Sequence, residues 1–171
     1  MIKISSITVQ KLENNKLKRE LPEFYELKNV IENNEWHHKD SAFNHTIHVL
    51  INLKKLFKKY GSLNAYLNSK IWRHSRKQLL FLSALLHDIA KKEAMIKKKG
   101  ITYCPSHESK GAVKARKILA RFDLSQKEKE FAIKIIRKHG LTHKLPASNG
   151  KDIARFKREN KAIFVELVLL A

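Results

Sequence analysis

An almost wholly apolar run in the middle of the chain ends in a histidine and an aspartate. The run extends from Leu79 to Ala90, and His87 and Asp88 lie near its end. A helix that is apolar on all sides is normally buried, so the run predicts a central helix. Burying a carboxylate without a partner costs on the order of several kcal/mol. A bound cation is the most economical way to offset that cost, so the pair indicates a metal site.

The length and composition indicate a single all-α domain. The chain has 171 residues, enough for a substantial core, and 43% of them are hydrophobic, with only 5 Gly and 3 Pro. The longest apolar run has about twelve residues, too few to span a bilayer. The start lacks the continuous apolar segment of a signal peptide, and the single cysteine, Cys104, excludes an internal disulfide. We therefore interpret the protein as cytoplasmic.

Hydrophobic periodicity divides the chain into an N-terminal arm (1–20) and a helical domain (21–171). The arm is expected to form a strand or a loose segment. Ser106 is the predicted N-cap of one helix, and the apolar central helix is expected to continue as a solvated tail to Lys99. The predicted helices cover approximately residues 22–34, 41–60, 79–90, 107–122, 126–139, 151–158 and 160–171.

Four histidines and one aspartate fall on the inward faces of these helices or at the ends of those faces. They are His45, His87, Asp88, His107 and His139. A lone inward histidine is more often a core residue that bonds to the backbone, but five residues that behave alike argue for shared ligation. Imidazole together with carboxylate suits Zn, Fe, Mn, Co or Ni. Ligands that come from separate helices are typical of metal sites inside helical bundles.

The segments that contain these residues occur in a specific order. They are Phe43–Leu50, Ala84–Lys91, His107–Ala112 and Arg137–His139. In this ordered set the chain resembles the HD superfamily of metal-dependent phosphohydrolases, and it is most like the HD domain of bacterial tRNA nucleotidyltransferases and their stand-alone relatives. The resemblance covers roughly residues 21–171. It implies an all-α bundle of about six to eight helices with a metal site in its core.

The resemblance also implies a role for each candidate ligand. His45 matches the first metal-binding histidine of the superfamily, and His87 and Asp88 match the signature pair that gives the superfamily its name. His107 and His139 match histidines that, in members with extra ligands, hold a second metal or contact the phosphate.

Two residues are the candidate catalytic groups. Lys91 matches the lysine of the superfamily's His-Asp-x-x-Lys pattern, which lies near the scissile phosphate or pairs with an acid. In the implied mechanism a divalent ion (Mn, Ni, Co, Fe, Zn or Mg) lowers the pKa of a bound water toward neutrality. Asp88 would hold the ion and orient the water, and Lys91 would offset the charge that develops on the phosphoryl oxygens.

The chain departs from the superfamily pattern at its end. The superfamily's final ligand is an aspartate on the last helix, just after an apolar stretch. Here that stretch is Phe164–Ala171, where the sequence stops. Glu166 lies about a turn and a half too early to replace the aspartate, and Asp152 fits less well. The closing ligand is therefore expected to be missing or to lie beyond this sequence, with weakened metal affinity in the first case.

The charge of the chain bears on its partners. Lys and Arg number 36 against 16 Asp and Glu, a net charge of +20. This excess favours a polyanionic partner such as RNA, DNA or nucleotides, although runs such as Lys97–Lys99 also fit solvated helix faces. Aromatic residues are not interleaved with the basic runs, so the sequence indicates no stacking platform for single strands.

We expect a phosphohydrolase that acts on a phosphomonoester or phosphodiester in a nucleotide or at an RNA end. The alternative is a non-catalytic, basic RNA- or nucleotide-binding module on a degraded scaffold of the same fold. The chain has neither a Gly-rich phosphate loop nor a nucleotidyltransferase signature, so it is not expected to add nucleotides.

Overall fold

The computed structural model of the chain describes residues 1–33 and 38–171. Those residues form ten α-helices: α1 (Val9–Glu13), α2 (Pro22–Glu26), α3 (Ala42–Lys59), α4 (Asn64–Asn68), α5 (Arg76–Leu86), α6 (Lys91–Ala94), α7 (His107–Leu119), α8 (Gln126–Lys138), α9 (Gly150–Glu159) and α10 (Phe164–Leu170). They also form two antiparallel hairpins: β1 (Ile31–Asn33) with β2 (His38–Ser41), and β3 (Ile96–Lys98) with β4 (Ile101–Tyr103).

The helical architecture confirms the prediction of an all-α bundle. Six helices have seven or more residues, namely α3, α5, α7, α8, α9 and α10. The other four α-helices of the described residues are single turns of four or five residues. Within the described residues, no helix is both long and apolar enough to cross a membrane.

The apolar helix α5 lies at the centre of the bundle, where it contacts both α3 and α8. Its leucines at positions 79, 80, 82, 85 and 86 are at most 1% exposed, as its uniformly apolar sequence predicts. Helix α7 lies beside α8, and Gly111 of α7 faces the turn that follows α5. A Cβ at Gly111 would lie 3.5 Å from the carbonyl oxygen of His87, so a small residue allows α7 to approach the end of α5.

A buried acid joins the start of α5 to the start of α8. Ser125 and Glu128 form the predicted capping box at the start of α8. The carboxylate of Glu128 also accepts hydrogen bonds from the backbone N–H groups of Arg73 (2.9 Å) and His74 (2.7 Å). Since the Glu128 side chain is fully buried, these bonds satisfy a charge that water does not reach.

Several predicted boundaries are wrong: the central helix predicted over 79–90 is Arg76–Leu86, and the last helix, predicted over 160–171, is Phe164–Leu170. The helix predicted over 22–34 ends at Glu26, because the chain then makes a 3₁₀ turn and enters β1; Asn34 lies outside the described residues. The solvated tail predicted to reach Lys99 is instead the single turn α6 followed by β3. Ser106 does not cap α7 with its side chain, because its backbone is left-handed (φ 57°).

Most of the first twenty residues form helical turns, and of the predicted strand only an isolated parallel bridge between Ile2 and Phe122 is present. A 3₁₀ turn (Ile4–Ser6) precedes α1, and the side chains of Ile4, Leu12 and Leu17 are buried in the same core as the long helices. The Tyr25 hydroxyl donates a hydrogen bond to the backbone oxygen of Leu12 (3.0 Å). Apolar contact with the bundle therefore orders this segment. Local periodicity did not indicate this contact.

Candidate metal centre

The ends of four helices bring the predicted ligands together. His45 lies in the first turn of α3, which Ser41 caps by accepting a hydrogen bond from the backbone of Asn44 (3.1 Å). His107 is the first residue of α7. His87 and His139 directly follow the last residues of α5 and α8, and both have φ −59° and ψ −38°. The structure thus collects all four histidines around Asp88, as predicted.

One group of ligands consists of His45, His87 and Asp88. The Oδ2 atom of Asp88 lies 3.0 Å from Nε2 of His87 and 3.6 Å from Nε2 of His45. The two Nε2 atoms are 3.4 Å apart. The ligand atoms of this triad all lie within 4.8 Å of one another, a spacing that could hold a metal ion.

A second group consists of Asp88, His107 and His139. The Oδ1 atom of Asp88 lies 3.4 Å from Nε2 of His107 and 3.7 Å from Nε2 of His139. These two Nε2 atoms are 3.3 Å apart, and this triad meets the same spacing criterion. Asp88 therefore directs one oxygen toward each triad.

The backbone orients three of the four histidines in the same way. Nδ1 of His87, His107 and His139 lies 2.7 Å from the carbonyl oxygen three residues earlier in each case. Because a carbonyl oxygen only accepts hydrogen bonds, the contact assigns the proton to Nδ1. When the ring is neutral, each Nε2 then presents a lone pair toward Asp88, the orientation that metal-binding histidines commonly have.

The electrostatics of the site suit a cation. Burial alone would raise the pKa of Asp88, but His87 and Lys91 hold the pKa of this carboxyl well below its usual range. Burial, together with His87, lowers the pKa of His139 to about 3, so its imidazole is neutral at physiological pH. Burial also opposes protonation of His107, but its hydrogen bond to Asp88 raises the pKa of His107 above the usual value. An ionised carboxylate among imidazoles is a typical donor set for a transition metal.

The sequence model of the HD domain matches residues 42–170 of the chain. The chain belongs to the HD domain family. No curated protein matches the chain significantly, so the predicted likeness to the HD domain of tRNA nucleotidyltransferases stays a prediction. HD domains bind divalent metals and are generally metal-dependent phosphohydrolases. The donor set of four histidines and one aspartate agrees with this chemistry.

One observation tests directly whether this HD domain fits a metal. Asp88 Oδ2 is buried and accepts no hydrogen bond of acceptable geometry from any residue that the structure describes. Nitrogens of His87 and Lys91 nevertheless lie 3.0 Å away from it. A buried carboxylate oxygen is costly unless it has a partner: the Lys91 ammonium offsets part of its charge, and a cation in the first triad would supply a partner of good geometry. The residues present therefore fit a divalent ion.

Lys91 is buried beside the HD pair rather than solvated. Its Nζ lies 2.6 Å from Oε2 of Glu32 and 3.0 Å from Oδ2 of Asp88. Burial alone would lower the pKa of Lys91, but these two carboxylates raise it, so the side chain remains charged. The sequence left two roles open for Lys91, and this arrangement corresponds to the second of them, pairing with an acid.

Sequence reasoning missed Glu32. This residue lies in β1, is 3% exposed, and is 59 residues before Lys91 in the chain. The only local sign is an acid directly after Val30 and Ile31, a pattern that surface strands share.

The thiol of Cys104 also contacts Glu32 (3.8 Å), and burial, together with this carboxylate, raises the pKa of the thiol to about 11. Cys104 is therefore protonated at neutral pH and unsuited to act as a nucleophile.

Glu166 and Asp152, the two acids compared with the superfamily's closing aspartate, form ion pairs outside the metal centre. Glu166 is fully buried and pairs with Arg76 (2.8 Å) and with the hydroxyl of Tyr66 (3.0 Å). Asp152 lies in the first turn of α9 and pairs with Arg155 (3.3 Å). Neither residue belongs to a ligand triad, as their sequence positions indicated.

Proposed function

We propose that the protein hydrolyses a phosphomonoester or phosphodiester in a nucleotide or at an RNA end, with divalent metal ions as cofactors. The observation that carries this proposal is the sharing of Asp88 between two ligand triads, one on each carboxylate oxygen. His45 and His87 would hold one ion, and His107 and His139 would hold a second. Four imidazoles to one carboxylate favour Mn, Fe, Co, Ni or Zn over Mg.

When bound, such ions lower the pKa of water toward neutrality and polarise a phosphoryl oxygen. The protein's own contribution is to fix the ligands. The bonds from Nδ1 to backbone carbonyls hold the rings of His87, His107 and His139 in place. This rigidity limits the reorganisation that would otherwise accompany the reaction.

Lys91 acts in this proposal through Asp88 and through its charge. Its ammonium, held by Glu32 at 2.6 Å, keeps Asp88 ionised and adds positive charge beside the place where a phosphoryl group would lie. Positive charge fixed in a dry site stabilises the anionic transition state of phosphoryl transfer. Lys91 is therefore a positioning residue for Asp88 in the ground state and an electrostatic aid in the transition state.

The substrate class rests on charge and on family chemistry. A net charge of +20 attracts phosphate-rich molecules and raises their rate of encounter. Nucleotides and RNA ends combine that charge with a hydrolysable phosphate.

The proposal is tested by metal analysis together with hydrolysis of bis-p-nitrophenyl phosphate and of 2′,3′-cyclic nucleotides in the presence of Mn or Ni. We expect His87→Ala to abolish hydrolysis and to reduce bound metal. His48→Ala is the matched control, because His48 lies on the same helix as His45 but is exposed to solvent. Hydrolysis that His87→Ala leaves unchanged would refute the proposal.

The non-catalytic alternative is favoured by one observation, the high positive charge. It predicts a folded protein that binds RNA or nucleotides but does not hydrolyse them. Its RNA affinity must fall steeply with salt, because phosphate contacts release counterions. RNA binding without hydrolysis under any metal would favour this alternative over the enzyme.

A further inference from the structure

The β3–β4 hairpin presents one face to the protein and the other to solvent. Its register pairs Ile96 with Tyr103, Lys97 with Thr102, and Lys98 with Ile101. Thr102 is 3% exposed and accepts a hydrogen bond from the backbone N–H of residue 33 in β1 (2.7 Å), so its side of the hairpin faces the protein. Side chains alternate along a strand, and paired residues share a face. The opposite face therefore consists of Ile96, Lys98, Ile101 and Tyr103, which we name the outer face.

The outer face combines apolar surface with positive charge. Ile96 is 53% exposed, Tyr103 47% and Ile101 43%. Lys98 is the lysine of this face, and Lys97 and Lys99 are exposed elsewhere on the same hairpin. The turn separates Lys98 from Tyr103 in the sequence, which explains why the sequence indicated no stacking platform: only the pairing of the strands puts the two residues on one face.

The charge of the hairpin distinguishes between possible occupants. Residues 96–103 contain three lysines and no acid, so two copies of the hairpin facing each other would repel. Single-stranded nucleic acid offers bases that stack on an aromatic ring and phosphates that pair with lysines. The combination of Tyr103 with adjacent lysines matches that chemistry.

The hairpin is joined to the metal centre at two points. The backbone oxygen of Cys104, the residue after Tyr103, lies 2.7 Å from Nδ1 of His107. On the other side, the residue of β1 that bonds to Thr102 follows Glu32, which holds Lys91. Backbone dimensions place the Cα of Tyr103 within about 10 Å of the His107 ring. A nucleotide next to the reacting phosphate can span that distance.

We infer that the outer face of the β3–β4 hairpin binds the single-stranded RNA segment that adjoins the phosphate to be cleaved, with a base stacked on Tyr103 and phosphates against Lys98 and its neighbours. This inference rests on the proposed function for the identity of the reacting phosphate. It narrows the substrate from a free nucleotide to the end of a strand.

The test measures binding of a fluorescein-labelled eight-nucleotide oligoadenylate by anisotropy, on the whole chain. We expect Tyr103→Ala to raise Kd about tenfold or more, and Tyr103→Phe to retain near wild-type affinity, since stacking needs only the ring. Lys98→Gln should weaken binding and reduce the slope of log K against log salt by about 1. Tyr60→Ala is the matched control: Tyr60 is 41% exposed. It lies at the far end of α3 from His45, about 22 Å away along the helix axis.

Hydrolysis of bis-p-nitrophenyl phosphate by the wild-type protein separates the two proposals. If the protein hydrolyses this substrate but Tyr103→Ala binds the oligonucleotide as well as the wild type does, the inference is wrong and the proposed function stands. If nothing is hydrolysed but Tyr103→Ala still loses RNA, the outer face is supported and the proposed function fails. A dimer that Tyr103→Ala dissociates, with RNA affinity unchanged, would overturn the inference in favour of self-association.

Discussion

The metal-free protein should lose stability in acid because of His139. This imidazole is 7% exposed. Burial, and to a lesser extent the charge of His87, lowers its pKa to about 3, compared with an ordinary value of 6.5. In the unfolded chain the same ring takes up a proton below pH 6.5. The unfolded state therefore binds more protons than the folded state between these two values, and the free energy of unfolding falls as the pH falls.

The magnitude follows from the two pKa values. Each pH unit inside this window costs roughly 1.4 kcal/mol. Between pH 7.5 and 4.5 the contribution of His139 amounts to about 2–3 kcal/mol, a large part of the stability of an ordinary domain. His107 works in the opposite direction: its raised pKa contributes stability that is present below pH 6.5 and is lost as the pH rises. The pH dependence of the wild-type free energy of unfolding alone therefore does not isolate the contribution of His139.

The assay is urea unfolding of chelator-treated protein at pH 7.5 and pH 4.5, compared between wild type and His139→Gln. The glutamine does not titrate, so the variant should lose about 2–3 kcal/mol less than the wild type across this interval. His48→Gln, an exposed position on α3, should behave as the wild type. Losses for His139→Gln and the wild type that agree within about 0.5 kcal/mol would refute the reasoning.

Three further predictions concern buried charges. Asp88→Asn removes the carboxylate that both triads share, so metal analysis should show that both ions are lost. His45→Ala should lose only one ion. If Asp88→Asn retained two ions, shared ligation would be contradicted. Glu32→Gln should cost about 1–3 kcal/mol in urea unfolding, less than a fully broken buried pair, because Lys91 keeps its contact with Asp88. Glu128→Gln loses charge-assisted bonds to the backbone and should cost about 2–3 kcal/mol, whereas a change below about 0.5 kcal/mol would show that these bonds contribute little.

The long helices and the placement of the candidate metal ligands on them could be predicted because both depend on short-range patterns. A helical period places His45 and His139 on inward faces whatever the partners of those faces are. The capping box of Ser125 and Glu128 likewise depends on four consecutive residues. Where the chain leaves the helical state the prediction was weaker: β1 and β3 are strands because they pair with neighbours, and pairing is not visible in a local period.

The second role of Glu128 shows the same limit. Its place in the capping box could be predicted, but its bonds to the backbone of Arg73 and His74 could not, since they join residues more than fifty positions apart. The burial of Lys91 is a similar case. Its neighbour Lys92 is exposed, and only the resemblance to the superfamily pattern, not periodicity or residue type, set Lys91 apart.

By itself the sequence determined the all-α class and pointed to the candidate ligands His45, His87, Asp88, His107 and His139, because apolar periodicity and residue chemistry are properties of each segment alone. Only the tertiary structure decided that Asp88 turns one oxygen toward each of two triads. It also decided that Glu32 holds Lys91, and that Lys98 and Tyr103 share one face of a hairpin. These features arise where distant segments are brought together by burial of the common core, and contact across that distance leaves no mark on local sequence.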